Sequence, residues 1–154
     1  MRTARWCVVS SIIAARCCGA AHRLLDLSSA YAQEREAFGR QIAQFQGVSF
    51  PLAEGEGLIA AVRQLCYHAL RLRDAGAPHT AEAAMCKWWG PRLAYDTVHE
   101  CLLMLGHAGY DRGVMEQRLR DVLGFQIGDG TAQIMKLIIA REKVGRVALQ
   151  YHKV

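Results

Sequence analysis

The sequence predicts an all-α protein, arranged as an up-and-down four-helix bundle with one additional short helix. Apolar residues recur every three or four positions through long stretches, which is the period of a helix, and no stretch alternates as a half-buried strand does. The chain has 154 residues, of which 52% are hydrophobic and only three are prolines. A chain of this size can bury the core of one domain, so we treat residues 1–154 as a single domain.

The first helix is predicted from about Thr3 to Glu36, with Phe38-Gly39 closing it. Two arginines precede the apolar run Trp6–Ala15, and a short signal peptide or an organelle presequence has the same arrangement. We interpret the run as folded helix because one apolar stripe continues through and beyond it, and because it is too short to span a membrane. The stripe comprises Val9, Ile13, Cys17, Ala20, Leu24, Leu27 and Tyr31.

Four more helices follow from capping, glycine and proline signals. The second should stop at Gly76-Ala77-Pro78, and Thr80 should cap the third. Pro91 lies inside the third helix and predicts a kink near Trp88-Trp89. The predicted ranges are Gln44–Asp74, Thr80–Leu105, Met115–Leu123, which is the short helix, and Thr131–Ala148.

Charge and cysteine usage narrow the function classes. The net charge of +5 suits an anionic partner, but the basic residues are mixed with acids, so nucleic acid is not expected. The phosphates of an adenine nucleotide would satisfy the same charge. The six cysteines form no CxxC pair and have no histidine at ligand spacing, so no metal site is expected. The vicinal Cys17-Cys18 could be a redox pair, but core filling in a reduced, cytoplasmic protein is the favoured interpretation.

The candidate site residue with the clearest chemical meaning is Asp129, which lies between Gly128 and Gly130 just before the last helix. Asp in such a place is commonly a turn residue, and Asp129 or Thr131 can cap the helix. A carboxylate held between two glycines can equally serve as a base that reaches a substrate.

Three segments in register resemble the C-terminal helical domain of the acyl-CoA dehydrogenase flavoenzymes, and together they span roughly residues 25–146. They are Tyr31–Gly39 with Gln46, Leu105–Tyr110 leading to Arg120-Asp121, and Gly128–Ile134 with Ala140-Arg141-Glu142. The resemblance covers only the last third of a typical member. It implies that the N-terminal helical domain and the middle β-domain are not encoded in this sequence.

The resemblance implies α,β-dehydrogenation of an acyl-CoA, in which Asp129 removes the α-proton while hydride passes from the β-carbon to FAD. An α-proton beside a thioester is weakly acidic, so its removal needs a positioned base and donors to the developing enolate oxygen. The family commonly has Glu where this chain has Asp129. The shorter side chain suggests a different acyl substrate, such as a cyclic or branched one.

The resemblance also assigns FAD contacts. Arg35 and the Phe38 backbone would contact the pyrophosphate, and Gln46 and the glycine-rich loop at Gly106 would approach the cofactor of a neighbouring subunit. Thr131 and Gln133 would contact FAD at a helix N-terminus. Within that loop, Leu103 and His107 depart from the family's Gln-x-x-Gly-Gly-x-Gly pattern, and Leu103 cannot donate the hydrogen bond of the Gln. Purely local roles are also open: a helix-end cation for Arg35, a core anchor for Phe38, and cap and first-turn residues for Thr131 and Gln133.

Three hypotheses about function remain open from the sequence. The chain is the C-terminal domain of an acyl-CoA dehydrogenase, with an acyl-CoA substrate and an electron-transfer flavoprotein or similar acceptor. Alternatively, it is a non-catalytic helical module for oligomerisation or binding, or a subunit that completes a split flavoenzyme. Because the family that it resembles packs as a dimer of dimers, the resemblance implies a homo-oligomer or a partner carrying the missing domains.

Overall fold

Helices dominate the part of the chain that the computed structural model describes, which is residues 2–111 and 113–148. The described helices are α1 Arg2–Glu34, α2 Gln46–Asp74, α3 Thr80–Leu105, α4 His107–Tyr110, α5 Val114–Ile127 and α6 Ala132–Val144. Two short 3-10 turns, Ile42–Gln44 and Arg146–Ala148, accompany them. The all-α fold class is therefore confirmed.

The first three long helices run up, down and up, as close contacts at two levels show. Gly55 of α2 faces both α1 and α3, where an added Cβ would lie 2.9 Å from Leu25 and 2.9 Å from Thr97. Gly90 of α3 faces both Ala14 of α1 and Val62 of α2, where an added Cβ would lie 2.6 Å from the Ala14 Cβ and 3.5 Å from Val62. From this level to that of Gly55, residue numbers increase along α1 and α3 but decrease along α2. Helix α2 is therefore antiparallel to the other two.

Helix α3 is the centre of the bundle, because it packs against α1, α2, α4, α5 and α6. The six cysteines are buried and unpaired, so core filling is confirmed for Cys17-Cys18. Burial raises the pKa of Cys17 to about 12 and that of Cys18 to about 11, which keeps both thiols neutral and unreactive near neutral pH. The core also contains Ile13, Leu24, Ile59, Val62, Leu93, Val98 and Val122.

Helix α1 is a core helix of the bundle. By length and composition alone, its segment Trp6–Glu34 could cross a membrane. The apolar part is thus longer than the run Trp6–Ala15 on which the prediction of no membrane span was based. Half of its most apolar window is nevertheless buried inside the bundle, as expected for a helix that packs against α2 and α3.

Several predicted boundaries are wrong by a few residues. Helix α1 ends at Glu34, and a two-stranded antiparallel hairpin follows it, with β1 Glu36–Ala37 paired to β2 Arg40–Gln41. Helix α5 continues to Ile127, because no glycine in a left-handed conformation stops it earlier. Helix α6 ends at Val144, because Gly145 has a φ of 78°.

Helix α3 has the predicted bounds, but its cap differs from the prediction. His79 occupies the N-cap position of α3 and makes no side-chain cap bond, so the assignment of Thr80 as the cap is wrong. The Thr80 side chain instead faces the Cys7 thiol of α1. Helix α3 continues through Pro91 as one element, and the kink there stays a prediction.

Candidate active site

The turn between α5 and α6 carries the predicted base. Gly128 ends α5 and donates its N–H to the Gly124 carbonyl oxygen at 2.9 Å. Thr131 begins α6, since its Oγ1 accepts a hydrogen bond from the Ile134 N–H at 3.5 Å, and the predicted cap is thereby confirmed. Asp129 is fixed between the end of one helix and the start of the next.

Asp129 has a left-handed backbone conformation with a φ of 56°, and Gly130 follows at a φ of 107°. Such a conformation is uncommon outside glycine, although Asp tolerates it better than most residues. The Asp129 side chain is exposed, and it accepts no hydrogen bond from any group in residues 2–111 and 113–148. The carboxylate is therefore free to meet a substrate that approaches from outside the bundle.

A buried lysine lies directly beneath this turn, and the sequence reasoning missed it. Lys87 of α3 is 1% exposed, and its Nζ donates to the Phe125 carbonyl oxygen at 2.7 Å and to the Gly130 carbonyl oxygen at 3.0 Å. Burial lowers the pKa of Lys87, while the negative charge of Asp129 opposes that shift. One sequence signal was available: Lys87 lies on the inward stripe of α3, four residues after Ala83 and four before Pro91.

A groove lies beside the same turn, between α1 and α5. Its cavity has a volume of about 330 Å³, and its lining includes the small residues Gly19 and Ala20 and three arginines. Arg16 lies over the Phe125 ring, with its guanidinium carbon 5.0 Å from the ring centroid. Arg118 bonds Asp121 at 2.8 Å, and Arg23 completes the basic lining.

The second predicted region is the hairpin between α1 and α2. Its two turn residues, Phe38 and Gly39, have φ values of 54° and 77°, which is the type I′ geometry that two-residue hairpins favour. Phe38 is 96% exposed, so the local interpretation of Phe38 as a core anchor is wrong. Its ring instead meets Phe45 edge-on, with centroids 6.2 Å apart.

Arg35 and Gln46 flank this hairpin on either side. Both are exposed, and the Arg35 side chain makes no hydrogen bond or ion pair with the described part of the chain. Gln46 is the first residue of α2, so it lies where backbone N–H groups of a helix point outward. Two phosphate-binding elements, a free guanidinium and a helix N-terminus, are therefore close together in the chain.

The glycine-rich loop begins where α3 ends. Gly106 has a φ of 58° and connects α3 directly to the short helix α4, of which His107 is the first residue. Leu103, in the place of the family's Gln, is 56% exposed. Gly109 packs so tightly that an added Cβ would lie 2.5 Å from the Leu102 carbonyl oxygen.

The predicted site residues fall at two separate levels of the bundle. Arg35, Phe38, Gln46 and Gly106 lie at the end where α1 and α3 finish. The turn that carries Asp129 lies over Lys87, near the start of α3. The 19 residues of α3 from Lys87 to Gly106 correspond to about 28 Å of helix. One copy of the chain therefore does not bring the two groups together.

One cluster of potential metal ligands, His22, Asp26 and Glu56, occurs in the described chain, and the expectation of no metal site stays a prediction. The His22 Nδ1 lies 3.6 Å from an Asp26 carboxylate oxygen, one helical turn away, and Glu56 of α2 joins them with all three ligand atoms within 4.8 Å. The side chains of His22 and Asp26 are 42% and 54% exposed. The His22 Nδ1 is nevertheless buried and has no hydrogen-bond partner in the described chain, and the contribution of Glu56 depends on tertiary packing that the sequence does not show.

Comparison with known proteins agrees with the sequence resemblance. The sequence model of the acyl-CoA dehydrogenase C-terminal domain matches residues 11–144. The probable acyl-CoA dehydrogenase YngJ of Bacillus subtilis (strain 168) is 39% identical over 132 residues, which cover 84% of this chain and 34% of that protein. The structure of butyryl-CoA dehydrogenase from Megasphaera elsdenii matches with a TM-score of 0.84 at 28% identity, over 87% of this chain and 35% of that one.

A structure of PigA with FAD and proline matches with a TM-score of 0.86 at 29% identity, over 90% of this chain and 36% of that one. The chain thus spans about a third of the length of each of these relatives. The matched residues include Arg35, Gly106 and the Asp129 turn. By this match and by its fold, the chain belongs to the acyl-CoA dehydrogenase family, whose C-terminal helical domain it represents.

Proposed function

We propose that this chain supplies the catalytic base of an FAD-dependent acyl-CoA dehydrogenase, and that Asp129 is that base. The observation that carries the proposal is the Asp129 turn itself. An exposed carboxylate without a hydrogen-bond partner in the described chain occupies an uncommon left-handed conformation, inside the segment that resembles the family's signature. Unfavourable backbone conformations of this kind concentrate at functional sites.

The reaction divides between this chain and the cofactor. Asp129 takes the α-proton of the acyl thioester, and its own backbone N–H can donate to the oxygen on which negative charge develops. When bound, FAD accepts the hydride that leaves the β-carbon. Because Asp is one methylene shorter than Glu, the reacting carbon must lie closer to the α5–α6 turn, which favours a branched or cyclic acyl group.

The exposed groups of the chain fit FAD. The unpaired guanidinium of Arg35 suits a pyrophosphate oxygen. Thr131 and Gln133 lie at the N-terminus of α6, where N–H groups and the helix dipole favour an anion or a hydroxyl oxygen. Since these residues lie at two levels of the bundle, we propose that one FAD contacts Arg35, Phe38, Gln46 and Gly106 of one copy and Thr131 and Gln133 of another.

The surface supports a proposal of self-association, or of association with the other domains of such an enzyme. Large apolar side chains on α5 and α6 are exposed in the described chain, and such patches mark interfaces. They are Leu123, Ile127, Ile134, Leu137 and Val144.

We further propose an electron-transfer flavoprotein or a similar protein as the electron acceptor. A cytoplasmic location suits six cysteines that are all unpaired.

The test is a fusion enzyme, in which this chain replaces the matching C-terminal third of the Bacillus subtilis relative. Purified fusion enzyme should carry FAD, and straight, branched and cyclic acyl-CoA thioesters should be screened anaerobically for loss of the oxidised flavin absorbance. Flavin reduction by at least one thioester is expected. A fusion enzyme that binds FAD and is reduced by none of them would favour the non-catalytic module.

Asp129→Asn in the active fusion enzyme is the decisive variant. The amide cannot accept a proton, so flavin reduction should slow by roughly 10²–10⁴-fold while the FAD content stays the same. Asp96→Asn is the matched control, because Asp96 is an exposed carboxylate whose partner is Arg92 on the same helix. Reduction of Asp129→Asn at the parent rate would place the base elsewhere.

A further inference from the structure

We infer that Lys87 is a positioning residue for Asp129, which holds the α5–α6 turn in place from inside the bundle. The role of Lys87 in catalysis rests on the proposed function. The holding of the turn is a separate property that can be measured without any reaction.

The two hydrogen bonds of Lys87 grip the chain on both sides of Asp129. The Phe125 carbonyl belongs to the last turn of α5, where carbonyl groups lack a helical N–H partner. The Gly130 carbonyl lies one residue after Asp129. A single ammonium group thus ties the end of α5 to the residue that follows the carboxylate, and the short segment between them has little freedom left.

A lysine in this place requires a reason, because burying an ammonium group is unfavourable unless it is paired or hydrogen-bonded. Lys87 is the largest fully buried side chain of the described residues. No carboxylate of the described residues forms a salt bridge with Lys87. The ammonium charge is stabilised by two carbonyl dipoles and by the more distant charge of Asp129. A leucine or methionine would fill the space without this penalty, so the position of Lys87 is explained by what it holds.

The turn needs such support. Asp129 and Gly130 both have positive φ, and Met135 crowds Gly130 so that an added Cβ would lie 2.7 Å from the Met135 Cε. Backbone of this kind persists only where the surroundings over-determine it. Without Lys87, the turn should relax to other conformations, and the Asp129 carboxylate should lose its fixed direction.

Amide hydrogen exchange in the full 154-residue chain tests the holding. The N–H groups of Gly128 and Met135, which bond carbonyl oxygens at 2.9 and 3.1 Å, report on the two sides of the turn. The Ile42 N–H, which bonds the Arg35 carbonyl oxygen at 2.8 Å at the hairpin, is the internal reference. In Lys87→Met, protection at Gly128 and Met135 should fall about 10-fold or more relative to Ile42, which corresponds to loss of at least one hydrogen bond to a charged donor.

Cys86→Ala is the matched control, since Cys86 is the neighbouring buried residue of α3 and bonds Cys66 and Ser11 rather than the turn. It should lower protection at all three amides together. Lys87→Arg should restore part of the difference, because a guanidinium can also donate to both carbonyls. Equal losses at the three amides in Lys87→Met would make Lys87 an ordinary core residue and overturn the proposal.

A measurement on the unmodified chain keeps the proposal testable if Lys87→Met does not fold. The Nζ protons of a buried ammonium group that donates two hydrogen bonds exchange slowly with water. They should therefore give nitrogen-edited NMR signals with nuclear Overhauser effects to Phe125 and Gly130. Rapid exchange and no such contacts would overturn the proposal.

The role of Lys87 in catalysis is measured as the rate of flavin reduction in the fusion enzyme. Lys87→Met should slow flavin reduction at least 10-fold at saturating acyl-CoA, with the acyl-CoA concentration for half-maximal rate and the FAD content nearly unchanged. Reduction at the parent rate would overturn the positioning role. Loss of protection at the turn in a chain whose fusion enzyme is never reduced would show that the proposed function has failed while the holding of the turn by Lys87 stands.

Discussion

Two turns in this bundle use the same backbone device with different support. Phe38-Gly39 in the hairpin and Asp129-Gly130 between α5 and α6 each place a larger residue before a glycine, both with positive φ. The hairpin closes on itself through the pairing of Glu36 with Gln41 and of Ala37 with Arg40. The Asp129 turn has no such partner strand, and it is fixed by Lys87 from beneath and by Met135 from the side.

The difference shows that the conformation of one turn is determined locally, whereas that of the other is determined by tertiary contacts. The type I′ turn of the hairpin is specified by its own few residues, so changes elsewhere in the bundle should leave it intact. The Asp129 turn depends on a residue 42 positions earlier in the chain. Its geometry should therefore follow the packing of α3, and core changes near Lys87 should be felt at the proposed base.

The two glycines give the largest expected difference between these turns. Gly130→Ala places a Cβ at a φ of 107° and against the buried Met135, and should lower the free energy of unfolding by about 3 kcal/mol. Gly39→Ala meets no atom within 4 Å at a φ of 77°, and should lower it by only about 1 kcal/mol. Urea unfolding of both variants measures the pair. Equal losses would mean that the Asp129 turn is no more constrained than the hairpin.

The sequence predicted the local features well. Helical periodicity specified the fold and most of the core stripe of α1, although Val9 of that stripe is 41% exposed. A Thr before an apolar repeat identified the cap of α6. These signals lie within a few residues of the element that they define. The bounds failed where a competing local interaction decided the end. The hairpin that follows Glu34 is one such case. The cap of α3 was missed for a different reason, because Thr80 faces Cys7 of α1, which is a tertiary contact.

The support of the candidate site could not be predicted in the same way. Lys87 is far in the chain from both Phe125 and Gly130, and its contact with them depends on how α5 folds back along α3. The division of the site residues between two levels of the bundle also required the helix directions. The family resemblance supplied roles for single residues, but it carried no information on what holds Asp129 in position.

Alkaline pH should weaken the Asp129 end of the bundle more than the hairpin end. The pKa of Cys17 is raised by burial from 9.0 to about 12, so its neutral thiol stabilises the fold fully below pH 9, and this contribution is lost as the pH rises toward 12. Between pH 9 and 10.5 the loss should reach about 2 kcal/mol. Lys87 acts in the opposite sense, because its lowered pKa relieves the buried charge as the pH rises toward 10.5.

Cys17→Ala should therefore flatten the dependence of unfolding free energy on pH in reducing buffer. The control is Val98→Ala, which truncates another fully buried side chain but removes no ionisable group. Its pH dependence should equal that of the parent chain. A parent chain whose stability is unchanged from pH 8 to 10.5 would contradict the prediction. A steeper loss of amide protection at Met135 than at Ile42 would locate the effect at the Asp129 end.

The smallest effects on stability are expected for two arginines at the hairpin. Their effects on FAD binding should follow the opposite order. Arg40 lies over the Phe45 ring, with its guanidinium carbon 4.2 Å from the centroid, and Arg40→Ala should lower the free energy of unfolding by about 0.5–1 kcal/mol. Arg35 has no side-chain partner in the described chain, so Arg35→Ala should change that free energy by less than about 0.5 kcal/mol.

In the fusion enzyme the order of the two arginine variants should reverse. If Arg35 bonds the FAD pyrophosphate, its loss removes a charge-assisted hydrogen bond and should weaken FAD binding by roughly 10-fold or more. Arg40→Ala should leave FAD affinity nearly unchanged, because its guanidinium is already engaged with Phe45. Flavin release measured by fluorescence gives both values. Equal FAD affinities in the two variants would mean that the hairpin is a structural turn only, and that the cofactor contacts of this domain lie at the Asp129 end.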